Sequence, residues 1–103
     1  MIIERNVFYA KYGQGDALVD VIREFTNGIG QSLIAGPTRL LVDSTGTMFR
    51  VIWETEHPDM KGLAQAEAKQ RKTFGQKKFQ EWFAKMQPLV ERGERELLQT
   101  VDL

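Results

Sequence analysis

Strand-like and helix-like stretches alternate along this chain in an order that few folds can accommodate. Residues 2–12 are rich in β-branched and aromatic types, and residues 39–43 and 47–56 are two more strand-like runs around a Ser-Thr-Gly turn. A last short strand is predicted at residues 95–103. Between these runs, apolar residues recur at steps of three and four, which predicts amphipathic helices. The predicted order is therefore strand, helix, strand, strand, helix, strand.

The helices carry clear signals for where they weaken or end. The first has apolar residues at helical spacing, namely Leu18, Val21, Ile22, Phe25, Ile29 and Leu33. Gly28 and Gly30 each cost about 1 kcal/mol relative to alanine in a helix, so a break is expected there. The second helix is predicted at residues 58–72, with an interruption at Gly75. A further helical stretch carries Phe79, Trp82, Phe83, Met86 and Val90, and Gly93 is predicted as its C-terminal cap.

This order of elements predicts an α+β fold. Right-handed crossovers around one hairpin give a four-stranded antiparallel sheet with the helices on one face, the ferredoxin-like arrangement. A length of 103 residues leaves room for one domain, residues 1–103. The uncovered face of the sheet would expose Met48, Ile52, Val7 and Tyr9, and exposed apolar patches usually mark an interface. A homodimer is therefore predicted.

Composition limits the classes of partner. The chain has 14 Lys and Arg against 14 Asp and Glu, whereas nucleic-acid binders usually carry a basic excess. No nucleic-acid partner is predicted. The absence of cysteine removes disulfides and thiolate metal sites, and it favours a cytoplasmic protein. No metal site is predicted. The apolar runs are far shorter than the roughly 20 residues of a membrane helix, so no membrane association is predicted.

Two segments resemble a known superfamily. They are Val-Phe-Tyr-Ala-Lys at residues 7–11 leading into residues 13–19, and residues 79–91 followed by Arg-Glu-Leu-Leu at residues 95–98. Both are similar to segments of the dimeric α+β barrel proteins, which include the antibiotic-biosynthesis-monooxygenase-like and NIPSNAP-like families. The resemblance covers most of the chain in its order of elements. It implies two sheets packed face to face in a homodimer, with a pocket between sheet and helices in each subunit.

The resemblance also bears on cofactors. Members of the superfamily carry out cofactor-free oxygenation, haem degradation or isomerisation. The haem-degrading members use an asparagine on the first strand, a tryptophan, and a histidine on the second helix. Asn6 matches the first of these, and Trp53 or Trp82 could supply the second, but the only histidine, His57, precedes the second helix. Haem iron generally needs an axial ligand such as histidine, so no haem or other cofactor is predicted.

Six residues are candidates for a site. His57 and Asn6 are the catalytic candidates. Histidine is the residue type best suited to acid–base catalysis near neutral pH, and Asn6 matches the first-strand asparagine of the haem-degrading members. The predicted ligand-binding residues are Tyr9, Arg50, Trp53 and Trp82. Arg50 and Glu54 share one face of the third strand. They could bind a polar ligand or form ion pairs between subunits, and the sequence favours neither reading.

Three functions fit these observations. The first is a dimeric protein that binds a small hydrophobic or aromatic molecule in a pocket between sheet and helices. The second is a cofactor-free monooxygenase or isomerase with Trp53, Asn6 and His57 in that pocket. The third is a protein-interaction module that uses its dimer surface or a basic cluster, which consists of Lys69, Arg71, Lys72, Lys77 and Lys78.

Overall fold

The order of elements predicted from the sequence is confirmed in the computed structural model, which describes residues 1–103. The strands are β1 Ile2–Ala10, β2 Thr38–Val42, β3 Arg50–His57 and β4 Val90–Gln99. The helices are α1 Gly15–Asn27, α2 Met60–Phe74 and α3 Lys77–Met86, with single 3-10 turns at Gln31–Leu33 and Gln87–Leu89. Gly75 separates α2 from α3, as expected for a residue that weakens a helix.

The four strands form one antiparallel sheet in the order β2-β3-β1-β4. Side chains alternate between its two faces, and Phe8, Ala10, Val51 and Trp53 point to the same one. These four side chains pack with apolar residues of α1 and α3. The helices therefore cover this face, and the ferredoxin-like α+β fold is confirmed.

Helix α1 anchors the core through two residues one turn apart. Leu18 and Ile22 are almost completely buried, at 0% and 1% exposure, because both face the sheet. The helix ends at Asn27 with Gly28 as its cap residue, so the break expected near the two glycines is confirmed. No helix is both long and apolar enough to cross a membrane.

The last strand corrects two predictions. Gly93 was predicted to cap a helix, but it lies inside β4, where it pairs with Phe8 of β1. The strand begins at Val90 rather than at residue 95. Both differences have one cause: β4 pairs along almost the whole length of β1, and this long-range pairing outweighs the local cap signal of a glycine.

The β2–β3 hairpin is confirmed, but its connection is longer than predicted. Strand β3 begins at Arg50 rather than at residue 47. Phe49, directly before it, has a φ of 60°, a left-handed conformation that does not continue a strand. Residues 43–49 therefore form the connection.

Candidate functional site

A cavity of about 270 Å³ lies between the helix-covered face of the sheet and the helices. We call it the sheet–helix cavity. Its floor consists of alternate residues of β1 and β3, and its walls come from α1, α2, α3 and the segment after α1. The side chains that define its character are Phe25, Trp53, Phe79, Trp82, Glu4 and His57. A largely apolar lining with a few polar groups is the usual composition of a small-molecule site.

The apolar end of the cavity is built around Phe25. Its ring lies edge-on to Trp53 at a centroid distance of 5.6 Å and tilted against Trp82 at 4.5 Å. The indole Nε1 of Trp82 donates a hydrogen bond of 2.7 Å to the carbonyl oxygen of Val21. This bond fixes the orientation of the Trp82 ring. The apolar end of the cavity is therefore lined by aromatic rings, and that of Trp82 is held in a fixed orientation.

The polar end of the cavity is a buried histidine–carboxylate pair. His57 Nε2 lies 3.0 Å from Oε1 of Glu4, and the two residues are 1% and 4% exposed. With Glu4 ionised, its carboxylate can only accept hydrogen bonds, and Nε2 of His57 is then the donor in this contact. In the neutral imidazole this leaves Nδ1 as an acceptor. That atom is buried and has no hydrogen-bond partner.

Arg95 connects this pair to the surface. Its Nε donates to Oδ1 of Asn6 at 3.0 Å and lies 3.5 Å from Oε2 of Glu4, while its Nη1 lies 3.9 Å from a carboxylate oxygen of Glu67. The Arg95 side chain is 55% exposed, so it forms part of the rim of the cavity. A buried carboxylate needs such a partner, because an unpaired charge in the interior is costly.

The structure brings together four of the six candidate residues. Asn6, His57, Trp53 and Trp82 all line the sheet–helix cavity. Glu4 and Arg95 belong to the same site and were missed by the sequence reasoning. For Glu4 a signal existed, because strand alternation puts it on the same face of β1 as Asn6.

Tyr9 and Arg50 lie elsewhere. They are paired with each other in the β1–β3 register and sit on the face of the sheet that the helices leave open. Arg50 donates to Oδ1 of Asp43 at 2.7 Å, and the guanidinium of Arg92 stacks over the Tyr9 ring at 3.8 Å. The hydrogen bond from Arg50 to Asp43 raises the pKa of the Arg50 guanidinium. Neither residue lines the sheet–helix cavity.

The open face of the sheet also contains Glu54, a carboxylate whose charge is balanced by two arginines. Its two oxygens accept hydrogen bonds from Nε of Arg5 at 2.6 Å and Nε of Arg39 at 2.8 Å. Burial alone would raise the pKa of the Glu54 carboxyl, but the two arginines outweigh burial and lower it below its ordinary value. Glu54 is therefore paired within its own chain, whereas the two alternatives left open by the sequence were a polar ligand and ion pairs between subunits.

Neither a binding surface at the basic cluster nor a metal site has support in the structure. The basic cluster lies on exposed faces of α2 and α3, where Arg71 and Lys77 have carboxylate partners one turn away in Glu67 and Glu81. Such pairs are typical of a solvated helix surface. No group of three or more His, Asp or Glu side chains lies close enough together to hold a metal ion.

Comparison with known proteins shows the fold. No family model and no curated protein matches the sequence. A NIPSNAP family protein from Agrobacterium tumefaciens superposes with a TM-score of 0.81 at 18% identity, covering 98% of this chain and 93% of that one. An uncharacterized NIPSNAP domain protein from Burkholderia xenovorans gives 0.78 at 16% identity over 98% and 95% of the two chains. An antibiotic biosynthesis monooxygenase gives 0.67 at 16% identity over 99% and 100%.

These likenesses confirm at the level of fold the resemblance expected from the sequence. The chain has the α+β fold shared by the NIPSNAP and antibiotic-biosynthesis-monooxygenase structures. Identities of this size carry no substrate or reaction across, because one fold supports many chemistries.

Proposed function

We propose that this chain binds a small hydrophobic or aromatic molecule in the sheet–helix cavity. The observation that carries the proposal is the combination of fixed aromatic walls with one buried polar end, where His57 faces Glu4. Apolar walls provide affinity through burial of ligand surface, and a small number of placed polar groups orients the ligand. A volume of about 270 Å³ suits a molecule of one or two rings.

A titration with 4-nitroanisole tests the proposal, because a nitroaromatic quenches tryptophan fluorescence when it binds close to Trp53 and Trp82. Thr55→Phe adds a ring to the floor of the cavity, and Thr45→Phe adds the same ring to the exposed β2–β3 connection. We expect saturable quenching in the wild type and in Thr45→Phe, and none in Thr55→Phe. Absence of saturable quenching in the wild type, or equal binding by both variants, would refute cavity binding.

The open face of the sheet supports a homodimer as the working form. Its apolar side chains include Leu41 and Leu98, at 36% and 37% exposure, together with Ile52. Its carboxylate Glu54 is already paired within the chain, so a second copy could cover it without leaving an unpaired charge. A net charge of zero adds no repulsion between copies. The absence of cysteine supports a cytoplasmic location.

The second candidate function is an enzyme of the isomerase type, which needs a proton acceptor beside its substrate. A buried histidine oriented by a carboxylate is the arrangement of an acid–base catalyst. It predicts that the protein accelerates deuterium exchange at the central carbon of benzoylacetone, and that His57→Gln does not. A wild-type rate equal to the buffer rate would argue against this candidate. A cofactor-free monooxygenase would use the same cavity, but no observation favours it over proton transfer.

A further inference from the structure

The buried Nδ1 of His57 has no hydrogen-bond partner, and in the neutral imidazole with the hydrogen on Nε2 it is an acceptor. The other ring nitrogen, Nε2, is already in contact with Glu4, and Arg95, the cation of this network, is engaged with Glu4 and Asn6. Glu67 is the only other charged group of this network and lies beyond Arg95. Nearly all buried polar atoms in proteins are hydrogen-bonded, so an open acceptor beside a cavity needs an explanation.

The cavity itself offers the explanation. His57 lines the same cavity as Trp53 and Trp82, so a molecule held between those rings would bring its polar substituent to the histidine end. A donor on that substituent would satisfy Nδ1. An ether or a methyl group in the same place would leave the acceptor unpaired, so a ligand without a donor would lack the binding free energy of that hydrogen bond.

We infer that His57 Nδ1 is the specificity-determining group of this cavity and that it selects aromatic ligands carrying a hydroxyl or N–H donor. The inference rests on the proposed function, since it presumes a ligand in the cavity, and it adds the chemical class. Glu4 acts behind His57 as a positioning residue, because its carboxylate keeps the hydrogen on Nε2 and the lone pair on Nδ1. Contact with the aromatic side chains of the cavity contributes the binding affinity, and the hydrogen bond to His57 determines which aromatic ligands bind tightly.

A pair of matched probes tests this selection. 3-Nitrophenol and 3-nitroanisole differ by one methyl group, and only the phenol can donate. At neutral pH, where the free phenol is largely protonated, the wild type should bind 3-nitrophenol at least about tenfold more tightly than 3-nitroanisole. His57→Phe keeps a flat ring but removes the acceptor, so its two affinities should be nearly equal. Equal affinities in the wild type, or an undiminished preference in His57→Phe, would overturn the inference.

A second measurement needs no variant, in case His57→Phe fails to fold. His57 is the only histidine of the chain, so the imidazole signals in a 15N-labelled sample belong to one residue. The wild-type spectrum should show the hydrogen on Nε2, and addition of 3-nitrophenol should shift the Nδ1 resonance while 3-nitroanisole should not. A hydrogen on Nδ1 in the free protein, or an Nδ1 signal that 3-nitrophenol at saturation does not move, would contradict the inference.

The two probes also separate this inference from the proposed function. If neither probe binds, the cavity is not a site for aromatic molecules and both proposals fail. If both bind with equal affinity to the wild type, and that binding is lost in Thr55→Phe, cavity binding stands and the role of His57 fails alone. Only tighter binding of 3-nitrophenol that depends on His57 supports both.

Discussion

His57 and Glu4 lie on neighbouring central strands, with Nε2 of the imidazole 3.0 Å from Oε1 of the carboxylate. The β1–β3 register pairs His57 with Ile2, so Glu4 is the next residue of β1 on the same face. Both side chains are buried, and water cannot replace either partner. The pair therefore behaves as a unit in which each residue needs the other.

A double-mutant cycle should show this dependence. Glu4→Leu and His57→Phe each leave a buried polar partner unsatisfied, so each should lower the free energy of unfolding by about 1–3 kcal/mol. The double variant should lose clearly less than the sum of the two, because neither unpaired group remains. Urea unfolding of the four proteins measures the coupling. Additive losses would show that the two side chains do not interact.

Glu54 should make stability depend on acid pH. Its folded-state pKa lies below the ordinary value of 4.5, so the unfolded chain binds the proton more readily. The resulting stability is present above pH 4.5 and is lost as pH falls through the lower folded value. Glu54→Gln should cost about 1–2 kcal/mol at neutral pH, and this difference should shrink below pH 4.5.

Glu56→Gln is the matched control, since Glu56 lies on the same face of β3 and forms no ion pair. Its cost at neutral pH should be small, and urea unfolding over a series of pH values measures both variants. A Glu54→Gln cost that stays constant down to pH 3 would mean that the arginines do not stabilise the ionised carboxylate.

The two tryptophans should differ in what their indole nitrogens contribute. Trp82→Phe removes the hydrogen bond to the Val21 carbonyl as well as part of a buried ring, and it should destabilise the fold by about 1–3 kcal/mol. Trp53 makes no side-chain hydrogen bond, so Trp53→Phe should cost less. Thermal unfolding of both variants compares them directly, and an equal cost would mean that ring volume alone matters.

The proposed dimer should break when a charge enters the open face. Ile52 lies between Val7 and Leu41 on that face, so Ile52→Asp would bury an unpaired carboxylate between two copies. We expect a dimer for the wild type and a folded monomer for Ile52→Asp in analytical ultracentrifugation. Val101→Asp makes the same exchange at a site that is 79% exposed, and it should remain dimeric. A wild-type monomer at high concentration would contradict the dimer.

Much of the fold could be predicted because its signals are local. The spacing of Leu18 and Ile22 predicts a buried helix face, and both residues are in the core. Gly93 shows the limit of such reasoning. A glycine after a helical stretch is a local cap signal, but whether the chain instead joins a sheet depends on β1, far away in the sequence.

The site was only partly predictable for a related reason. Trp53, His57 and Asn6 could be chosen by residue type, and they do share one cavity. The contact between His57 and Glu4 depends on the register of two strands, which the sequence does not display. The alternation of side chains along a strand does predict that Arg50 and Trp53 lie on opposite faces of the sheet, because the two residues are an odd number of positions apart.

The most direct test of the central claim is a crystal structure of the protein with 4-bromophenol, located by the anomalous signal of bromine. We expect one bromine peak per chain between the aromatic side chains of the sheet–helix cavity, with the phenol oxygen within hydrogen-bond distance of His57 Nδ1. An empty cavity at saturating 4-bromophenol would contradict ligand binding there. A bromophenol in the cavity with its hydroxyl turned away from His57 would contradict the role assigned to that histidine.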